Sequence, residues 1–390
     1  MKIQFNKKAL ESALQRTFKA VSSKSPLPIL GYVLIKTEEE GKVSFSTTDL
    51  EFGIRCVIKA DILEEGSVCV PAKIITELVG QIKEEKITLK QDNDQPLELI
   101  SGKLRYHINV RDVDEFPILP APADKTLFSI PQASLKEMIK NVIIAVATME
   151  EQRTTLTGVL FTSDGAGLTA VSTDGRRLVK VFEPLDEPAT KPFSVIIPQR
   201  SLREIQNLLG DSDEPVFFTL SEGQVFINFN STFIFSRIIE GKFPGFEAVI
   251  PLSSEIKLLT DRVKTQDAVK RALIMAMDKD APDLLRLEIN MESIKITANS
   301  VDVGDAYEEV FLDEMTGDSI ELAVNGKYLL DILNVVNDDY IWIYINKPDT
   351  PVMIKSPLKE NYLFIIMPVR LQKIQQSQDE DIDSSVHSYT

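Results

Sequence analysis

The 390-residue chain is poor in the residues on which most side-chain catalysis depends, having two cysteines and two histidines, His107 and His387. Metal centres, Cys–His pairs and Ser–His–Asp triads need clustered thiolate or imidazole, so those chemistries are disfavoured and no resident metal or cofactor is expected. Cys56 and Cys69 stand in apolar, strand-like stretches and read as buried, reduced thiols. The chain has no GxxxxGK or GxGxxG loop, which argues against a nucleotide-driven enzyme. Apolar runs are short as well. The longest, Val142 to Thr148, is far below the ~20 residues of a membrane span. The start, Met1-Lys2-Ile3-Gln4-Phe5-Asn6, lacks the apolar core of a signal peptide. The expectation is a soluble, unexported protein with no membrane partner.

What the sequence does have is repetition. Leu10, Leu14, Phe18, Ala20 and Val21 follow helical spacing and precede a strand-like stretch from Leu30 to Ile35. The order returns as Leu135, Ile139, Ile143, Ala145 and Val146 before Leu156 to Phe161, and more weakly as Val269, Leu273, Ala276 and Met277 before Leu285 to Ile289. A second set of amphipathic helices opens at Val70-Pro71-Ala72-Lys73, Ile197-Pro198-Gln199-Arg200 and Val324-Asn325-Gly326-Lys327. Pro71, Pro198 and Asn325 are 127 positions apart in turn. Short alternating strands lie between, such as 42–46, 53–58, 223–228 and 341–345. Three α+β domains of equal plan follow, each with two helices and antiparallel sheets. Phe116-Pro117 and Phe243-Pro244 recur 127 residues apart in two strand-like exits, which put domain boundaries near 122 and 251. The expected organisation is 1–122, 123–251 and 252–371, followed by a polar, acidic tail over 372–390 that has no apolar face and is expected to be disordered.

Net charge is −16, which at first argues against nucleic acid. Its distribution reverses that reading. The six helix-like windows (6–24, 71–83, 132–153, 199–209, 262–279 and 325–336) together hold 18 Lys and Arg against nine Asp and Glu. Helices from all three domains can therefore face one polyanion while strands and loops face solvent, with Arg16 and Lys19 among the cations concerned. No aromatic residues interleave with these cations, so base stacking is not expected and backbone contact without sequence preference remains.

At this point the chain resembles the bacterial sliding clamps, the beta subunits of DNA polymerase III. The resemblance is carried by Lys24-Ser25-Pro26-Leu27-Pro28-Ile29-Leu30, Thr48-Asp49-Leu50-Glu51, Gly66-Ser67 with Val70-Pro71-Ala72-Lys73, and Ser172-Thr173-Asp174-Gly175-Arg176-Arg177-Leu178. Phe243-Pro244, Asn325 with Tyr328-Leu329, and Met367-Pro368-Val369-Arg370-Leu371 complete it. It implies a head-to-tail homodimer closing as a ring around double-stranded DNA, a non-catalytic processivity factor that tethers the replicative polymerase. It also implies a clamp loader, other partners bearing clamp-binding motifs, and a cytoplasmic, nucleoid-associated location. The DNA-facing residues would be Lys24, Lys73, Gln199, Arg200, Arg203, Lys270 and Arg271. The resemblance further implies a cleft for a short Gln- and Leu/Phe-containing peptide, using Leu156, Thr173, Gly175, Arg176, Arg177, Leu178, Pro244, Val249, Asn325, Tyr328, Ile365, Met367, Pro368, Val369 and Arg370. Several family members carry Arg at the position of Ala248 and His at that of Arg176, and their chains commonly end near the motif that closes here at Leu371.

Two other readings compete. Asp49 and Asp174, 125 residues apart, are candidates for the paired carboxylates of a hydrolase, which needs both within a few ångströms and one with a raised pKa; a turn repeated with the domain explains them equally. A repeat scaffold binding acidic protein partners without DNA is the second alternative.

Overall fold

The computed structural model describes residues 1–22, 26–92, 95–122, 125–148, 153–277, 282–300 and 302–370. Lys24, Leu371 and the tail over 372–390 lie outside the described residues. The chain divides into two compact units, Met1–Pro244 and Gly245–Thr390.

The first unit holds two repeats. The first runs β1 (Lys2–Asn6), α1 (Lys7–Phe18), β2 (Tyr32–Glu38), β3 (Lys42–Thr48), β4 (Phe52–Lys59), β5 (Asp61–Glu64), β6 (Ser67–Pro71), α2 (Ala72–Gln81), β7 (Lys86–Lys90), β8 (Leu97–Ser101) and β9 (Leu104–Ile108). The second runs β10 (Phe128–Pro131), α3 (Gln132–Val142), β11 (Gly158–Ser163), β12 (Gly167–Thr173), β13 (Arg177–Pro184), β14 (Phe193–Pro198), α4 (Gln199–Leu208), β15 (Pro215–Ser221), β16 (Gln224–Phe229) and β17 (Thr232–Arg237). The second unit repeats the plan with β18 (Ile256–Asp261), α5 (Arg262–Met275), β19 (Leu284–Ile289), β20 (Ser293–Ser300), β21 (Gly304–Thr316), β22 (Ile320–Asn325), α6 (Gly326–Val335), β23 (Tyr340–Ile345), β24 (Val352–Lys355) and β25 (Tyr362–Ile366).

Every helix is entered directly from a strand, and the residue at the junction explains why. Asn6, Asp261 and Asn325 accept hydrogen bonds from first-turn N–H groups at 2.9–3.3 Å. Pro71, Pro131 and Pro198 instead hold the chain extended with φ near −55°. The strand that leads each first helix (β1, β10, β18) was not legible as a separate element in the sequence. The Phe-Pro exits are a correction: the described residues there form 3-10 turns at Val113–Glu115 and Glu247–Val249 and no strand, because proline removes a ladder donor. Phe116 is buried there with Ile29, Leu30 and Cys69.

Sheets and helices enclose the cores. Strands β5-β1-β7-β8-β9 form one sheet, and β14-β11-β12-β13 another. A third, β10-β15-β16-β17-β4-β3-β2-β6, runs through both repeats of the first unit. Its seam pairs β17 with β4 from Thr232↔Cys56 to Ser236↔Phe52. Gly53 sits opposite Phe235, and a Cβ there would lie 2.1 Å from the ring, so only glycine admits the phenyl at the seam. In the second unit the order is β25-β24-β23-β18-β21-β20-β19-β22. Leu10 and Leu14 of α1 and Ile75 and Val79 of α2 are buried in one core with the edge-to-face rings of Phe5 and Phe45.

Candidate nucleic-acid interface and partner-binding residues

The helices keep their apolar sides inward and their cations outward. In α4, Ser201, Leu202 and Ile205 are buried while Arg200 and Arg203 are exposed. In α5, Thr265, Ala268, Val269 and Ala272 are buried while Lys270 and Arg271 are exposed. Lys73 is exposed on the first turn of α2. Over their observed spans the six helices hold 13 Lys and Arg against six Asp and Glu, so the cationic bias persists with the true boundaries.

Not all of these cations are equally available to a phosphate. Arg203 has no ion-pair partner among the described residues. Lys73 and Lys270 reach Glu77 and Asp267 only at 3.9 Å. Arg271, by contrast, is gripped through two nitrogens by Glu308 of β21, at 2.7 and 2.6 Å, a bidentate geometry that holds the Glu308 carboxyl below its ordinary pKa. Arg200 lies 2.5 Å from Oδ2 of Asp49, whose side chain is almost wholly buried, so it braces the second repeat against the first. Gln199 is half-buried and donates to the Ile143 carbonyl at 3.4 Å. Sequence reasoning missed the Asp49 and Glu308 contacts, since neither partner is near its arginine in the chain.

Among the residues assigned to the peptide cleft, those of the first unit centre on the turn from β12 to β13. Asp174 Oδ1 accepts from the N–H groups of Arg176 and Arg177, both at 2.9 Å, and Oδ2 accepts from Arg177 Nε at 3.0 Å. Thr173 Oγ1 donates to the Arg177 carbonyl and accepts from the Gly175 N–H. Gly175 takes φ +87°, where glycine is unstrained. Gly175 and Arg176 are therefore exposed at a rigid tip, Arg177 is held beneath them, and Leu156 and Leu178 are buried. Pro244 is half-buried.

In the second unit, Asn325 spends its side-chain oxygen on the Tyr328 N–H at 3.1 Å, which leaves its amide N–H groups as the donors open to a ligand. Tyr328, Met367 and Pro368 are half-buried, Val249, Val369 and Arg370 are exposed, and Ile365 is fully buried in β25. The Val369 N–H bonds the Ala323 carbonyl at 2.8 Å, which ties the segment after β25 to β22.

The turn from β3 to β4 is a twin of that from β12 to β13. Asp49 Oδ1 accepts from Glu51 and Phe52, Thr48 Oγ1 donates to the Phe52 carbonyl and accepts from the Leu50 N–H, and Leu50 takes φ +79°. Both aspartates are thus turn-formers, with their carboxylates committed to backbone and arginine. Burial pushes the Cys69 thiol up to about 12 and raises Cys56 as well, so neither is a thiolate near neutral pH.

Models of the DNA polymerase III beta subunit match along almost all of the chain: the N-terminal domain over residues 1–120, the central domain over 129–245 and the C-terminal domain over 247–370. The chain belongs to the DNA polymerase III beta subunit family. The beta sliding clamp of Bacillus subtilis is 29% identical over 379 residues, covering 95% of this chain and all of that one. That of Chlamydia pneumoniae is 28% identical over 371 residues, covering 95% and 99%. The crystal structure of the Bacillus subtilis clamp superposes with a TM-score of 0.90 over 95% of this chain and all of its own. The Pseudomonas aeruginosa DNA polymerase III subunit beta does so with 0.89 at 26% identity, over the same shares. The three-domain α+β fold is thus that of the sliding clamps, which are non-catalytic processivity factors, and this chain is a sliding clamp of that family.

Proposed function

We propose that two copies of this chain join head to tail into a ring that encircles double-stranded DNA and tethers the replicative polymerase to it. The observation that carries the reading is a pair of strand edges that have no neighbouring strand among the described residues. Among the described residues β9 bonds only to β8, and its Leu104, Arg105, Tyr106 and His107 are all exposed, with Arg105 paired to Glu98 of β8. In β21, the ladder to β18 begins at Leu312, so the stretch from Gly304 to Phe311 is paired on its β20 side alone. Tyr307 and Phe311 are 59% and 70% exposed there, alongside the exposed Asp305 and Glu309. Bare edges with exposed aromatics invite association unless they are covered. The edge of β9 meeting the edge of β21 on a second copy is a heterologous contact, which closes a ring when the rotation fits.

Within the ring, Lys24, Lys73, Gln199, Arg200, Arg203, Lys270 and Arg271 face the duplex without sequence preference. Tethering is topological, so processivity comes from raised effective concentration rather than tight binding. A clamp loader opens the ring, and partners with clamp-binding motifs dock their peptide at the cleft residues named above, with Met367 and Pro368 as apolar wall and Arg177 and Asn325 as polar anchors. A Pseudomonas aeruginosa clamp solved with griselimycin is consistent with a ligand-binding surface in the family. The domains are 1–122, 123–251 and 252–371, with 372–390 as a tail. The protein works in the bacterial cytoplasm at the nucleoid; no helix among the described residues is long and apolar enough to cross a membrane.

The test is retention on closed circular DNA after loading, followed by cutting the circle. A ring stays on the intact circle and slides off the cut one, and sedimentation gives twice 43.7 kDa. A monomer in solution, or equal retention on cut and intact DNA, rejects the ring; a scaffold that ignores DNA gives no retention at all.

A further inference from the structure

The outer face of the second repeat carries a groove that none of these roles uses. β15, β16 and β17 lie side by side, and their register sets Phe217 beside Asn228, Thr219 beside Phe226, and Asn228 beside Phe233. Cross-strand neighbours share a face, so these side chains form one floor. Pro122, Lys125 and Thr126 rim it, and the groove encloses about 690 Å³, within the range of small-ligand and short-peptide sites.

Its chemistry is specific. Phe226 and Phe233 stack with centroids 5.8 Å apart, and Phe217 is 40% exposed beside them. Thr219 is 7% exposed as a residue, and its hydroxyl lies on the groove lining and is not a buried unsatisfied group. A hydroxyl on a groove lining can exchange its water for a ligand's polar group. Lys125 is exposed on the rim with no ion-pair partner among the described residues. Arg55, the next residue on this face beyond Phe233, is already paired with Glu38 and adds no free charge.

We propose that this groove binds a peptide segment that presents one aromatic or branched aliphatic side chain next to a single carboxylate. The apolar side chain lies against Phe217 and Phe233, the carboxylate meets Lys125, and the peptide group bonds Thr219 and Asn228. A nucleic acid strand is the poorer occupant: it needs a track of cations, and this groove offers one free cation among the described residues, on a chain of net charge −16.

The experiment is a calorimetric titration of the full chain with acetyl-Gly-Phe-Asp-Gly-amide, repeated with Asn in place of the Asp. Saturable binding at about 1 mM or tighter is expected, weakening about fivefold or more for the Asn peptide and about tenfold for Lys125→Glu. Thr219→Val should weaken it about three- to tenfold with an unchanged melting curve. Lys125 is exposed, so its variant folds and keeps the test decisive even if Thr219→Val does not. No saturable binding overturns the proposal, and so does full affinity in Lys125→Glu. Displacement by an oligothymidine would assign the groove to nucleic acid, and displacement by a neutral Gln-Leu-Ser-Leu-Phe-amide would assign the binding to the partner cleft; either result also overturns it.

Discussion

Asp174→Asn isolates what one carboxylate does for the turn that displays Gly175 and Arg176. Asparagine keeps the shape and can still accept from the N–H groups of Arg176 and Arg177, now as a neutral acceptor. Its amide nitrogen replaces Oδ2 and faces Arg177 Nε, donor against donor, where the wild type has a 3.0 Å ion pair. Hydrogen bonds to charged groups are worth about 1.5–3 kcal/mol and neutral ones about 0.5–1.5, so each of the two backbone bonds loses about 1 kcal/mol. The ion pair joins side chains only 12% and 9% exposed, and its loss adds to that cost. A total of about 2 kcal/mol or more lowers the melting temperature of a body of this size by at least about 4–8 °C. Thr173 still clasps both ends of the turn, so the unit folds. Arg177 loses its ion pair with Asp174, and affinity for a Gln-Leu-x-Leu-Phe peptide should fall with it. Scanning calorimetry and peptide titration on the same protein measure both effects. Asp49→Asn is the internal comparison, because it weakens the twin turn and releases Arg200 without touching the cleft residues. An unchanged melting temperature in Asp174→Asn would refute the turn-former role; hydrolytic activity that vanishes with the substitution would revive the hydrolase reading.

Three further outcomes follow from the contacts described. Arg203→Glu should weaken retention on DNA at low salt and leave the melting curve alone, whereas Arg200→Glu should also lower the melting temperature by placing a second carboxylate beside Asp49; equal melting curves would remove the brace. Met367→Ala should reduce peptide affinity about 5- to 150-fold, the loss of a hot-spot contact worth about 1–3 kcal/mol, with sedimentation still at the dimer; undiminished binding would take Met367 out of the cleft. Because the Arg271 guanidinium lowers the Glu308 pKa from 4.5, their pair contributes stability that is fully present above that ordinary value and is lost as pH falls through the lowered one. Melting temperatures of wild type and Glu308→Gln should therefore differ at neutral pH and converge progressively as pH falls below 4.5; a gap that widens in acid would show the opposite linkage.

The sequence alone determined the plan of this protein. Amphipathic spacing and the 127-residue period place six helices and three α+β repeats, because a buried helix face must recur every three to four residues whatever it packs against. Cationic helices on an acidic chain were equally legible, since charge is a property of composition along the strand of sequence. Which cations are free was not. Arg200 and Arg203 are one helical turn apart and look equivalent, yet the first is held by Asp49, 151 positions earlier, and the second is not. Arg271 is likewise held by Glu308 and Lys270 is not gripped. The paired aspartates became turn-formers only when their hydrogen bonds were visible. The bare edges of β9 and β21 and the groove over Phe217, Phe226 and Phe233 also belong to tertiary structure. Strand pairing joins residues far apart in the chain, and a local pattern specifies which face a side chain takes but not which neighbour covers it.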